Sequence, residues 1–239
     1  MHLIFTPLFL ACIVQPDPNA LLQQVDAAAN RATDMSATLE VAVSSQGAPA
    51  LVRTMKVWQK GDKQRLLKFM APARLRGTGI LVADGRTHLY LPAYRRVRRV
   101  AGKEGGGSFM GMGFSINDLA RVRFSKAYSA TVVLQDALET VLKLTPNNGS
   151  DHKHAWLQIT VRKSDHLVKQ ITAHNAAGKL IRTITMSDFR DVSGYTIAHH
   201  IEIVELSQRK KTVATLKELV FDTGLSDADF TERQLKRAP

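Results

Sequence analysis

The spacing of apolar positions divides the chain into a helical opening and a long succession of strands. Leu21, Leu22, Val25, Ala28, Ala29 and Ala32 recur three and four residues apart, the period of one helix face. Asp17 stands where a cap would accept backbone N–H groups, and Pro18 suits a first turn, so the pattern predicts one amphipathic helix from Pro18 to Thr33. After Met35 the period becomes two. Leu157, Ile159 and Val161 share a face of "HAWLQITVRK", and Ile197, Ile201 and Ile203 share a face of "IAHHIEIVEL".

Short runs rich in Val, Ile, Thr and Leu are separated by "GAP", "KGDK", "DGRT", "PNNGSD" and "AAGK", which read as the turns of an antiparallel meander. "SINDLARV", with Ser115 as cap, and "SDADFTERQL" near the end add two short helical turns. The fold class expected is mainly β: one curved antiparallel sheet, or unclosed barrel, of about ten strands around the N-terminal helix. A sheet that size must cover its apolar face or curl upon itself, and wherever the single helix fails to fill the curl an apolar hollow remains.

Composition changes the picture in one segment. The 239 residues carry 33 Lys and Arg against 21 Asp and Glu, a formal charge of +12. Fourteen of those bases and only two acids, Asp62 and Asp84, lie between Arg53 and Lys103, so the whole net excess sits there. Its centre is "YRRVRRVAGKEGGGSFMGMGF", where Arg95, Arg96, Arg98 and Arg99 precede a glycine run and then Phe109, Met110, Met112 and Phe114. Three readings fit the bases: a solvated sheet face, contact with an anionic membrane or a partner, and nucleic-acid binding with Tyr90, Tyr94, Phe109 and Phe114 as stacking aromatics. No helix-turn-helix, RRM or zinc pattern accompanies the last of these.

The apolar run Leu3 to Val14 is too short to span a bilayer and has the length of a signal-peptide core, so residues 1–16 read as a signal and 17–239 as one domain. The only cysteine, Cys12 in "FLAC", is either the acylation site of a lipobox or an incidental thiol. One cysteine excludes an intramolecular disulfide.

Catalytic patterns are missing from the sequence. The glycine run lacks the Walker spacing, "RGTGILVA" has two of three dinucleotide glycines, and Ser108 has no glycine two residues after it. His152 with His154 and His199 with His200 have no nearby Cys and no obvious carboxylate partner to complete a metal set, and the adjacent His199 and His200 point to opposite faces of a strand. The expectation is a binding protein with no catalytic residue, metal or cofactor.

"LLKFMAPARLRGTGILVADGRTHLYLPAYRRVRRV", "SFMGMGFSINDLA" and "DFTERQL" resemble the bacterial outer-membrane lipoprotein-sorting protein family, relatives of the LolA and LolB carriers. The likeness is densest from Phe69 to Leu119, in the order Pro-x-x-x-Arg-Gly-Thr, Tyr-Leu-Pro, arginine strand, Phe-Met-Gly, Asp-Leu. The resemblance implies an exported carrier, periplasmic or membrane-anchored through Cys12, with acyl chains of a lipid or lipoprotein in the hollow. Phe109, Met110, Met112 and Phe114 would then form a gate or lipid-touching loop, the alternative being that Phe109 and Phe114 pack into the core while the glycines make the turns, and Arg95, Arg96, Arg98 and Arg99 a contact with an anionic membrane or an RND- or ABC-type exporter. An adaptor of such an exporter that carries no lipid is the alternative, ahead of a nucleic-acid binder.

Overall fold

The structure is a computed structural model that describes residues 17–45, 48–100, 109–116, 123–147 and 154–238. The signal-like segment with Cys12, the glycines 105–107, Ser108, residues 117–122 of the expected "SINDLARV" turn and His152 lie outside the described residues. Asp17 caps α1 (Pro18–Ala29) by accepting the Asn19 N–H at 2.9 Å. The helix stops short of the expected Thr33 because Asn30 takes over its last carbonyls: the Asn30 N–H donates to Ala27 O and its Nδ2 to Asp26 O at 2.7 Å.

Thirteen strands follow: β1 (Asp34–Ser45), β2 (Ala48–Lys60), β3 (Gln64–Ala71), β4 (Gly79–Ala83), β5 (Arg86–Leu91), β6 (Arg96–Val100), β7 (Tyr128–Gln135), β8 (Glu139–Pro146), β9 (Trp156–Arg162), β10 (Val168–His174), β11 (Leu180–Val192), β12 (Tyr195–Glu205) and β13 (Lys210–Phe221). All belong to one antiparallel sheet in the order β6-β5-β4-β3-β2-β1-β13-β12-β11-β10-β9-β8-β7. β6 and β7 stand at its two edges and do not pair, so the barrel is unclosed. The count exceeds ten because residues 64–100 hold four short strands. Two of their connections, Asp84–Gly85 and the 3₁₀ turn Pro92–Tyr94, are only a few residues long.

Strand alternation places the connections at two ends. Turns 72–78, 92–95, 175–179 and 206–209 share one end with the β1–β2 turn, and turns 61–63, 84–85, 136–138, 163–167 and 193–194 share the other. The concave face carries two packed clusters. Leu21, Leu22 and Val25 of α1 fill the half lined by Leu142, Leu144, Leu157 and Ile159 of β8 and β9. Asp26, buried in α1, accepts the backbone N–H groups of Phe124 and Ser125 at 2.6 and 2.8 Å, which fastens the approach to β7 onto the helix. The outer face of β3 and β4 is covered by α2 (Glu232–Lys236), where Phe230 and Leu235 bury Leu66 and Leu81. "SDADFTERQL" thus forms the expected terminal turn and helix, with Ser226 and Asp229 capping each other.

Candidate functional site

The second cluster on the concave face is closed by the stretch "FMGMGF". Phe109 and Phe114 are joined by a backbone bond, Phe109 N to Phe114 O at 2.8 Å, and the Met112 N–H donates to Phe109 O at 2.9 Å. This knot pushes Phe109, Met112, Phe114 and Ile116 against Val41, Met55, Phe69 and Ile80 of β1 to β4, with the Phe69 and Phe109 rings 6.0 Å apart. Met112 is fully buried. Gly113 permits the approach: its φ is +75°, and a Cβ there would stand 2.9 Å from Thr212 Oγ1 of β13.

Phe109, Met112 and Phe114 are therefore core residues, and Met110 packs half-buried against them. Of the two readings the sequence allows for this stretch, a gate or lipid-touching loop and a core segment with glycine turns, the described conformation is the packed one. The concave sheet offers an unfilled apolar surface at that place, and burying two Phe and a Met on it removes more apolar area from water than leaving them outside. Arg53, on the inner side of β2, secures the knot with a 2.9 Å bond from Nη2 to Met110 O. It is 6% exposed, and its Nε has no partner. Burial, and then the neighbouring Arg74, push its pKa down.

Between the last turn of α1 and strands β10 to β13 lies a hollow of about 770 Å³. β11 contributes Met186 and Phe189, β12 Ile197 and Ile201, β10 Val168 and Ile171, and β13 Leu216 and Phe221. It is empty of side chains because the last turn of α1 presents Ala27, Ala28 and Ala29 where its earlier turns present leucines. In sequence these small residues look like part of one apolar face, and the run "DAAANRA" is the signal for the space.

The lining includes Gly61, Ser164 and Tyr195, so the hollow lies at the 61–63, 163–167 and 193–194 end of the sheet. Polar groups gather at this mouth. The Tyr195 hydroxyl donates to Asp222 Oδ2 at 2.5 Å, Asp222 Oδ1 accepts the Thr33 N–H, and the Arg31 guanidinium lies 4.9 Å over the Tyr195 ring while bonding to the Gly194 carbonyl. The Tyr195 hydroxyl holds the Asp222 carboxyl below its usual range, and Asp222 raises Tyr195 in turn. Beneath them Asp34, 2% exposed, accepts from Thr223 N, Thr223 Oγ1, Gly224 N and Leu225 N within 3.0 Å. Burial raises its pKa, the four donors more than offset that, and the net shift is downward.

The four arginines are all exposed but do not share one face. Arg96 and Arg98 alternate with Val97 on edge strand β6. Val100, in phase with them, packs into the inner cluster, whereas Val97, in phase with Arg99, packs into the outer one. Arg95 stands in the turn before the strand, in left-handed conformation. Among the described residues no group of three or more His, Cys, Asp and Glu is placed to hold a metal.

Residues 61–237 match the model of a family described as "Uncharacterized protein"-like. The chain belongs to that family. Among solved structures it is similar to an outer membrane lipoprotein-sorting protein domain from Vibrio parahaemolyticus, with a TM-score of 0.83 and 22% identity over 92% of this chain and 98% of that one. A DUF1329 family protein from Desulfovibrio piger gives 0.82 at 24% identity, over 92% and 99%. A LolA superfamily protein from Nitrosomonas europaea gives 0.77 at 16%, over 92% and 100%. A comparison with the curated proteins found no match. The fold is thus that of the lipoprotein-sorting and LolA superfamily proteins, as the sequence resemblance implies.

Proposed function

We propose that this protein is an exported carrier that takes acyl chains of a lipid or lipoprotein into the hollow between α1 and strands β10 to β13, and that it works by binding without catalysis. The observation that carries the proposal is the hollow itself: about 770 Å³ of space lined by Met, Ile, Val, Leu and Phe side chains, inside a sheet whose other half is filled. Such a volume lies within the range of small-molecule sites. Each methylene removed from water contributes about 0.8 kcal/mol, so an acyl tail needs no polar recognition to bind.

The knot of Phe109, Met112 and Phe114 is the gate in this proposal. Met35, Ile201 and Leu216 touch both the knot's cluster and the hollow, so displacing the knot would extend the apolar space along the sheet. The likeness to an outer membrane lipoprotein-sorting protein domain supports a periplasmic place of action.

The test is to purify the protein from a bacterial periplasm, extract it with organic solvent and identify what is released. The proposal expects a lipid or acylated species near equimolar with the protein, and its loss when Met186 and Ile201 are both replaced by Asp. Extraction of no acyl species from folded protein, together with no binding of an added acyl probe, would leave the exporter adaptor as the better account.

A further inference from the structure

The two ends of the sheet differ in charge. The described turns at the end away from the hollow carry Arg74, Arg76, Arg95, Lys179 and Arg209 and no acid. The hairpin turns at the hollow end carry Asp62, Asp84, Asp136 and Asp165 with Lys63 and Lys163; Asp222 and Asp227 stand there too, together with Arg31, Lys60, Arg123 and Lys126, and Arg123 pairs with Asp62 and Lys60 with Asp227, so acids and bases are mixed at this end. Arg74, Arg76, Arg95, Lys179 and Arg209 are all exposed.

Large apolar side chains stand out among those bases. Tyr94 is 72% exposed beside Arg95, Leu206 is 47% exposed in the turn that ends with Arg209, and Leu51 and Val52 are 49% and 60% exposed next to the β1–β2 turn. Exposed Leu134 and Leu138 stand at the opposite end too, but with Asp136 between them. Among the described turns, only those of the first end combine exposed apolar side chains with bases and no acid.

We infer that the end formed by turns 72–78, 92–95, 175–179 and 206–209 docks on an anionic lipid surface, with the mouth of the hollow directed away from that surface. An anionic leaflet attracts each basic side chain near it, and Leu51, Val52, Tyr94 and Leu206 are placed to enter the headgroup region. An acidic protein or a nucleic acid would match the charge but leave the four apolar side chains in water. The knot packs on Thr212 and Ile203 near this end and is held by Arg53, so the docked face is also the plugged one. The open mouth then faces the aqueous side, where a second protein can deliver or accept the acyl cargo. The inference rests on the carrier reading only for that last step.

Co-sedimentation of the full chain with vesicles of phosphatidylcholine, with and without phosphatidylglycerol, tests it. Binding is expected only with phosphatidylglycerol and is expected to weaken as salt rises. Each base is worth about fivefold, the equivalent of about 1 kcal/mol, so Arg74→Gln, Arg76→Gln, Arg95→Gln and Arg209→Gln combined lower it by on the order of 100-fold or more. The corresponding arginine-to-lysine set retains it, and Lys63→Gln with Lys163→Gln at the other end leaves it within about twofold. A polarity-sensitive fluorophore shifts to the blue on vesicles when attached at Leu51→Cys and stays unchanged at His166→Cys, in a Cys12→Ser background.

Equal binding to neutral vesicles, equal loss from both glutamine sets, a blue shift at position 166 alone, or preference for DNA over vesicles would each overturn the inference. Should the combined variant not fold, single Arg95→Gln and Arg209→Gln changes and the salt dependence of the wild type decide. These vesicles contain no acyl probe, so a chain that docks but binds no probe loses the carrier reading and keeps this one.

Discussion

Arg53 Nη2 donates to Met110 O at 2.9 Å, and no acidic side chain forms an ion pair with that buried guanidinium among the described residues. The bond joins a rigid strand to the knot that fills half of the concave face. It also maintains a buried cation whose Nε is unsatisfied, which costs the fold something in desolvation.

Arg53→Met should therefore separate two effects. It removes a charged hydrogen bond worth about 1.5–3 kcal/mol to the knot, and with it the desolvation cost. The expected result is faster hydrogen exchange at the Met112 N–H, by about tenfold or more, with a global thermal midpoint that falls little or rises. A large loss of midpoint would mean that Arg53 supports the sheet and not the knot.

Gly113 and Gly111 both have positive φ, but only Gly113 faces another strand. Gly111→Ala meets open space and carries only the left-handed penalty of about 1–2 kcal/mol. Gly113→Ala adds a Cβ 2.9 Å from Thr212 Oγ1 and 3.6 Å from Ile203 Cγ2, both in closely packed strands. Denaturant unfolding should show Gly113→Ala losing at least about 1 kcal/mol more than Gly111→Ala. Equal losses would show that the knot is loosely seated.

Asp34 gives the fold an acid-sensitive clasp. Its folded pKa lies below its unfolded value, so the stability it supplies is present above the unfolded pKa of about 4 and is lost as pH falls through the folded value. Asp34→Asn cannot accept all four bonds and should lose about 1–3 kcal/mol at neutral pH. The difference from wild type should shrink below about pH 4. A difference that stays constant down to pH 2 would remove the carboxylate from the account.

The elements were legible because local chemistry determines them. Asp17 and Pro18 start α1, the alternation in β9 and β12 marks their inner faces, and the glycine-bearing turns punctuate the sheet. Even the division of the arginines between two faces of β6 follows from period two. The site was less legible because its parts meet across the sheet. Arg53 binds a carbonyl 57 positions away, and Asp34 binds the backbone of residues 223–225, partners that no side-chain motif records. The glycines and large apolar groups of "FMGMGF" are compatible with an exposed loop or a core plug. Only the space left on β1 to β4 and the contact with Thr212 decide between them.

The most direct test of the carrier account is titration of a fluorescent fatty acyl probe into the delipidated full-length protein and its Ile201→Asp variant. Ile201 lines the hollow at half-burial and touches the edge of the knot's cluster, so a carboxylate there places charge in the proposed acyl path at a position that is not fully buried. The account predicts saturable binding by the wild type, and at least about tenfold weaker binding by a variant with an unchanged circular-dichroism spectrum. Equal affinity in the two proteins, or no saturable binding by the wild type, would contradict it.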